Sequence, residues 1–212
     1  AGLGQRPGAV TRGAPGVWGD RRRARIGLLG GSFNPAHAGH RHIAEHARRG
    51  LGLDQVWLMV SPGNPLKPGR GMAPFARRLA SACEQADGVR VIATDIEARL
   101  GTRYTVDTLA ALRRRFPRAR FVLLIGADNL TQLPRWKRWR RIAREVPIAV
   151  LPRPGETRRA LAGRAARVLA RHRRRPAALL AGDAAHAPWA WVAAREHPAS
   201  ATAIRAAGGV LV

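Results

Sequence analysis

Apolar residues along this chain fall into two alternating regimes. Uninterrupted runs such as Ile26-Gly27-Leu28-Leu29 and Phe121-Val122-Leu123-Leu124-Ile125 read as strands covered on both faces, and the segments between runs carry apolar residues at helical spacing. Strands are predicted at 26–30, 55–60, 89–93, 120–126, 146–151 and 188–193. Helices are predicted near 37–49, 74–86, 105–116, 136–144 and 157–170, the last with Leu161, Ala165, Val168 and Leu169 in one apolar stripe. Such alternation is the rhythm of an α/β domain, a mostly parallel sheet with helices on both faces. Residues 1–23 are rich in Gly, Pro and Arg without periodicity and are expected to form a flexible N-terminal extension, leaving 24–212 as one domain.

Composition narrows the setting. The chain has no apolar run long enough to span a bilayer and no secretory leader pattern, so a soluble protein without a membrane partner is expected. A single cysteine, Cys83, excludes an intrachain disulfide framework and fits a reducing cytoplasm. Its setting, Ala80-Ser81-Ala82-Cys83, reads as a helix face on which it is a small buried residue. The formal net charge is +25, and all but Lys67 and Lys137 of the 38 basic residues are arginine. A positive field of this size attracts polyanions. The arginines are interspersed with alanine instead of forming one patch, and no groove-reading or base-stacking motif accompanies them. No specific nucleic-acid partner is expected, and the run Arg171-His172-Arg173-Arg174-Arg175 reads as a solvated helix face followed by a basic loop.

The chemistry concentrates where strands stop. The first strand ends at Gly30-Gly31, Ser32-Phe33-Asn34-Pro35 makes a turn, and a helix follows that carries His37 and His40. Adjacent glycines let a ligand approach backbone N–H groups, a helix start adds partial positive charge, and two imidazoles can donate to one anion. This reads as a phosphate cradle, the alternative being a tight packing turn with solvated histidines. The stretch Gly30 to His40 resembles the G-G-[ST]-F-[DN]-x-x-H-x-G-H signature of the nucleotidyltransferases, with Ala36 where a second proline is common. It matches neither a dinucleotide G-x-G-x-x-G nor a P-loop.

The fourth strand likewise ends in glycine, Gly126, with Asp128 two residues on and Pro134, Trp136 and Trp139 beyond. Asp128 can accept from ribose hydroxyls or cap the next helix, and Trp136 and Trp139, three apart on the predicted helix, can be core or can stack on a heterocycle. The strand-G-A-D-N-L segment with P-x-W-x-x-W, and Gly101–Leu109, are similar to segments of the bacterial nicotinate-nucleotide adenylyltransferases. So are the loop Ser61-Pro62-Gly63-Asn64-Pro65-Leu66-Lys67 and the C-terminal Ala199-Ser200-Ala201-Thr202-Ala203-Ile204-Arg205, where Ala199 replaces the usual Ile or Leu.

The resemblance spans about residues 25–206 and implies a Rossmann-like nucleotidyltransferase fold. It also implies transfer of the adenylyl group of ATP to nicotinate mononucleotide, giving deamido-NAD and pyrophosphate, with Mg²⁺ accompanying ATP and no protein metal site. The residues it implies for ATP are Gly30, Gly31, Ser32, Phe33, His37, His40, Gly126, Asp128, Ser200, Thr202 and Arg205, of which His37, His40 and Arg205 act on the reacting phosphates. For nicotinate mononucleotide it implies Lys67 toward the phosphate, Trp136 stacked on the ring, and the backbone at Thr105 and Lys137 holding the carboxylate. Three alternatives stay open on sequence: a related adenylyltransferase acting on nicotinamide mononucleotide or phosphopantetheine, a basic nucleic-acid-binding protein without catalysis, and a zinc hydrolase built on His42-x-x-Glu45-His46.

Overall fold

The computed structural model describes residues 13–63, 71–181 and 188–194. Within them the chain runs β1 (Arg25–Gly31), α1 (Ala38–Gly50), β2 (Gln55–Val60), α2 (Phe75–Glu84), β3 (Val91–Thr94), α3 (Ile96–Arg99), α4 (Thr105–Arg115) and β4 (Arg120–Gly126). It continues through α5 (Ala127–Gln132), α6 (Trp139–Glu145), β5 (Ile148–Leu151), α7 (Thr157–Leu161), α8 (Arg164–Val168) and β6 (Trp189–Trp191). All strand pairs are parallel, in the order β3-β2-β1-β4-β5-β6. Helices lie on both faces, as the uninterrupted apolar runs require.

Alternate residues of each strand feed two separate cores. Ile26, Leu28, Trp57, Leu123 and Ile125 point to one side, against α4, α5 and α6, whereas Leu29, Leu58, Val122 and Leu124 point to the other, against Ile43, Ala44 and Ala47 of α1 and Leu79 of α2. β1 hydrogen-bonds β2 on one edge and β4 on the other. The connection order therefore reverses at β1, and the carboxyl ends of β1 and β4 flank the crevice where open α/β sheets take ligands.

Several boundaries differ from the apolar pattern, each for a local reason. β3 begins at Val91 because the Asp87 carboxylate accepts from the amides of Val89, Arg90 and Val91, at 2.8, 2.7 and 2.9 Å, bending the chain into a tight turn. β5 begins at Ile148, since Val146 still closes α6 through its amide on Ile142. The helix expected over 157–170 is two helices, α7 and α8, separated by Gly163 in extended backbone. The expected helix at 136–144 begins at Trp139, because Arg138 takes a left-handed conformation (φ 52°) that leaves Trp136 outside it. α1 begins at Ala38, not 37, with His37 as its extended N-cap.

Residues 13–23, expected to belong to a flexible extension, lie against the domain. Ala14 and Val17 pack on the core, while Arg99 and Arg115 donate to the carbonyls of Pro15 and Val17 at 2.7 and 2.8 Å. Asp20 holds Arg22, whose guanidinium stands 5.6 Å from the centre of the Trp57 ring and 5.5 Å from that of Phe116. Gly19 has φ 79°, and a Cβ there would come within 2.0 Å of the Arg115 carbonyl oxygen, so only glycine permits this close approach. Periodicity gave no sign of this docking, because arginine-to-carbonyl bonds leave no apolar rhythm.

Trp57 is fully buried at the centre, edge-on to Phe116 and Phe121 with centroids 5.4 and 5.8 Å away. Trp57→Ala is expected to destabilise the fold by about 3–5 kcal/mol, the usual range for removing a buried aromatic ring. Denaturant titration measures this; a loss under about 1 kcal/mol would show that the ring cluster is not the anchor of this face.

Candidate functional site

Strand β1 delivers Gly30, Gly31, Ser32 and Phe33 to the crevice. The two glycines differ: Gly30 is exposed, and a Cβ there would meet only the Met59 Cε at 4.0 Å, whereas one on Gly31 would sit 3.3 Å from the Phe33 ring. Among the described residues the space over Gly30 is thus open, and Gly31 serves packing. Phe33 is buried in a left-handed conformation (φ 46°), a costly state for a residue with a Cβ, and its ring centre lies 5.0 Å from that of His40.

The imidazoles shape the start of α1. His37 caps α1 by accepting the Gly39 amide on Nδ1 at 3.1 Å, and His40 Nδ1 accepts the His37 amide at 3.2 Å, a reciprocal capping box built from two histidines. With each Nδ1 acting as an acceptor, the neutral rings carry their proton on Nε2. The ring centres are 3.9 Å apart. Burial, then repulsion from a proton shared with the adjoining His37 ring and from the Arg153 guanidinium, lowers the His40 pKa from its ordinary 6.5 to about 3. His40 is therefore a neutral Nε2–H donor at physiological pH.

Across the crevice, Gly126 caps α5 and Asp128 stands in its first turn. α5 has no side-chain cap bond, which removes the capping alternative for Asp128. A Cβ on Gly126 would lie 2.4 Å from Asp128 Oδ1 and 2.9 Å from Arg153 Nε, so the missing side chain is what lets these two groups converge. Among the described residues Asp128 Oδ1 is buried without a hydrogen-bond partner, since Arg153 Nε stays 3.8 Å away. A buried acceptor left unmade is costly, and a ligand hydroxyl would satisfy it.

A second cluster forms at the start of α4. Its N-cap, Tyr104, makes no side-chain cap bond; the Asp107 amide is taken by the Tyr104 carbonyl at 2.9 Å, which leaves the amides of Thr105 and Val106 as the ones without a helical partner among the described residues. Lys137 Nζ donates to Asp107 at 3.1 Å and stands 4.3 Å from the Tyr104 ring centre, which brings its ammonium to the first turn of α4. Trp139 is buried core, while Trp136 is half-buried, lies outside the helix and packs against the edge of the same core. Lys67, Ser200, Thr202 and Arg205 lie outside the described residues.

Three residues that sequence reading passed over belong to this region. Arg153 follows β5 and faces both Asp128 and His40; its place just past a strand end was the available signal. Glu97 receives Thr108 Oγ1 at 3.0 Å, and Thr108 in turn meets Thr102 at 2.8 Å, fastening the approach to α4. Burial raises the Glu97 carboxyl pKa, against the hydrogen bonds from Thr108 and Ser61. Arg78 of α2 is buried beneath the Ser32 turn, on the same helix face as Ser81 and Ala82.

The zinc alternative fails on geometry. Glu45 is engaged by Arg48 and Arg49 at 3.5 Å each, His46 Nε2 meets the Ala193 carbonyl, and no group of three metal-ligating side chains occurs among the described residues. The basic run at 171–175 is partly absorbed into packing. Arg173 stacks on Trp189 at 5.2 Å and Arg174 donates to the carbonyls of Arg171 and Arg173. A recess of about 480 Å³ beside it, lined by Arg173, Arg174, Arg175, Pro176 and Trp191, shares no residue with the strand-end site. No helix among the described residues is long and apolar enough to cross a membrane.

A six-stranded parallel sheet with glycine-ended central strands and a histidine-capped turn beside the crevice defines the class: a doubly wound α/β domain of the nucleotide-binding kind. Residues 28–207 match the cytidylyltransferase-like family. A Gluconobacter oxydans protein named probable nicotinate-nucleotide adenylyltransferase is 62% identical over 187 residues, covering 87% of this chain and 95% of the relative. One of the same name from Gluconacetobacter diazotrophicus is 60% identical over 192 residues, covering 90% of this chain and 89% of the relative. The structure of Plasmodium falciparum nicotinic acid mononucleotide adenylyltransferase complexed with NaAD superposes with a TM-score of 0.64 at 13% identity, covering 86% of this chain and 82% of the other, a likeness of fold. The chain belongs to the nicotinate-nucleotide adenylyltransferase family.

The depressed His40 pKa has a consequence for stability. Between pH 6.5 and about 3 the unfolded chain binds a proton at His40 that the folded chain excludes. Stability is thus fully present above 6.5 and is lost as pH falls through this window. Denaturation midpoints of wild type and His40→Gln, measured from pH 7 to 4, should show the wild type losing stability more steeply. Parallel curves would mean that His40 titrates normally in the folded protein.

Proposed function

We propose that this chain transfers the adenylyl group of ATP to nicotinate mononucleotide, forming deamido-NAD and releasing pyrophosphate. The carrying observation is the paired-histidine cap over an open glycine at the end of β1, facing an unsatisfied Asp128 oxygen at the end of β4. ATP would place its phosphates on the β1 turn and its ribose at Asp128. An oxygen of the acceptor phosphate attacks the α-phosphorus, the bond from that phosphorus to the bridging oxygen breaks, and pyrophosphate leaves. The acceptor is already ionised, so no covalent nucleophile and no general base are needed.

Catalysis is then positioning and charge stabilisation. The Nε2–H groups of His37 and His40 donate to phosphate oxygens, and because His40 is held neutral it donates at constant strength across physiological pH. Arg153 adds fixed positive charge beside it. Gly30, Gly31, Ser32 and Phe33 shape the cradle, Ser200, Thr202 and Arg205 hold the outer phosphates, and Lys67 meets the acceptor phosphate. Trp136 stacks on the nicotinate ring while amides at Thr105 and Lys137 hold its carboxylate. A carboxylate meets these donors with acceptors only, whereas an amide would present its own N–H₂ to them and forfeit a bond.

The described residues bring no three metal ligands together, so they do not form a cage for Mg²⁺. The ion would travel on the triphosphate oxygens and water, supplying charge neutralisation there. The proposed compartment is the cytoplasm.

Purified protein with ATP, Mg²⁺ and each of nicotinate mononucleotide, nicotinamide mononucleotide and phosphopantetheine should release pyrophosphate fastest with the first; no release with it overturns the reading. His40→Ala is expected to lower kcat by about 10²–10³-fold, the usual cost of one transition-state donor, with a smaller effect on ATP affinity. Near-normal turnover in the folded variant would remove His40 from the chemistry. Trp136→Ala should raise the KM for nicotinate mononucleotide about tenfold and leave that for ATP nearly unchanged, in keeping with the worth of aromatic stacking. Equal effects on both substrates with a lowered Tm would make Trp136 a core residue only.

A further inference from the structure

Arg78 is 2% exposed in α2, and every hydrogen bond it makes among the described residues ends on a backbone carbonyl. Nη1 donates to Ser32 and to Ser61 at 2.7 Å each, Nε to Ala73 at 3.0 Å, and Nη2 reaches Pro62 at 3.4 Å. Ser32 belongs to the turn after β1, and Ser61 and Pro62 to the turn after β2. Ala73 is itself tied back to the first turn, its amide donating to Asn34 Oδ1 at 3.0 Å. The neighbouring helix position repeats the theme: Ser81 Oγ accepts the Ala36 amide at 3.0 Å.

Burying a cation without a carboxylate is expensive, and an apolar side chain would fill the same space on Phe75 without that cost. What an apolar side chain cannot do is bond three chain segments at once. A lysine cannot do it either, since its point charge lacks the planar fork that reaches carbonyls on several sides. The position therefore spends stability on geometry, and the geometry fixed is the separation of two turns.

Resting on the adenylyl-transfer reading, we propose that Arg78 is a positioning residue for the reaction. Its fork holds the ATP-side turn at Ser32 and the acceptor-side turn at Ser61–Pro62 at one separation, so that the reacting phosphates meet in line. Each substrate occupies its own half of the site, and only ligands that use both halves sense the clamp.

The test is Arg78→Lys, which keeps the charge and loses the fork. Affinities for ATP alone and for nicotinate mononucleotide alone, measured calorimetrically, should change less than about threefold. The affinity for deamido-NAD, which must fit both turns at once, should fall about tenfold or more, and kcat should fall about 10²-fold, the cost of an ångström of misplacement. Equal weakening of all three ligands, or no change in kcat, overturns the proposal. Hydrogen exchange provides a readout that needs no turnover. In wild type the amides of residues 31–33 and of 61 and 63 should open with one shared free energy, and in the variant both groups should accelerate together. Independent opening of the two turns in wild type overturns the clamp even where the variant fails to fold. Absence of pyrophosphate release by wild type defeats the functional reading instead, and the exchange data still decide whether the turns are coupled.

Discussion

The site depends on β1 being paired with β2 on one side and with β4 on the other. Because these neighbours are parallel and in register through Gly30↔Met59 and Leu29↔Leu124, all three strands release their following turns at one end of the sheet. β1 and β4 then end in glycine at the point where connections diverge to opposite edges. Side chains on those glycines would fill the crevice, most clearly at Gly126, where the Asp128 carboxylate and the Arg153 guanidinium occupy the space a Cβ would take.

In the proposed reading, helix initiation and phosphate binding share one structure. A helix start needs acceptors for its free amides, and α1 obtains them from imidazole nitrogens where hydroxyls or carboxylates are the common choice. The same bonds commit each Nδ1 as an acceptor, and burial keeps His40 uncharged. A carboxylate cap would have stabilised the helix equally well and repelled a triphosphate.

The arginine excess has a second use besides its field. Arg78, Arg99, Arg115 and Arg174 all terminate on backbone carbonyls, and Arg22 on two aromatic faces. Guanidinium forks thus do in several loops what regular secondary structure does elsewhere, satisfying carbonyls that have no ladder partner. Charge counted from composition overstates the free positive surface, because part of it is spent inside the fold. Residues 13–23 owe their docking to such bonds.

The sequence by itself determined the strand–helix alternation, the parallel sheet and the glycine-ended strands with His37, His40 and Asp128 just beyond them. These are local properties: buried strands need continuous apolar runs, and a ligand turn needs residues close together in the chain. Tertiary structure decided what depends on partners far away in sequence. It brought Arg153 to His40 and Asp128, and buried Arg78 where it bonds residues 46, 17, 16 and 5 positions away. The left-handed Arg138 between Trp136 and Trp139, the Asp87 turn before β3 and the extended Gly163 are local, but they follow no apolar period and so lay outside the pattern. A buried arginine and a surface arginine are the same letter in a chain this basic. Only the packing around α2 shows which one carries the turns.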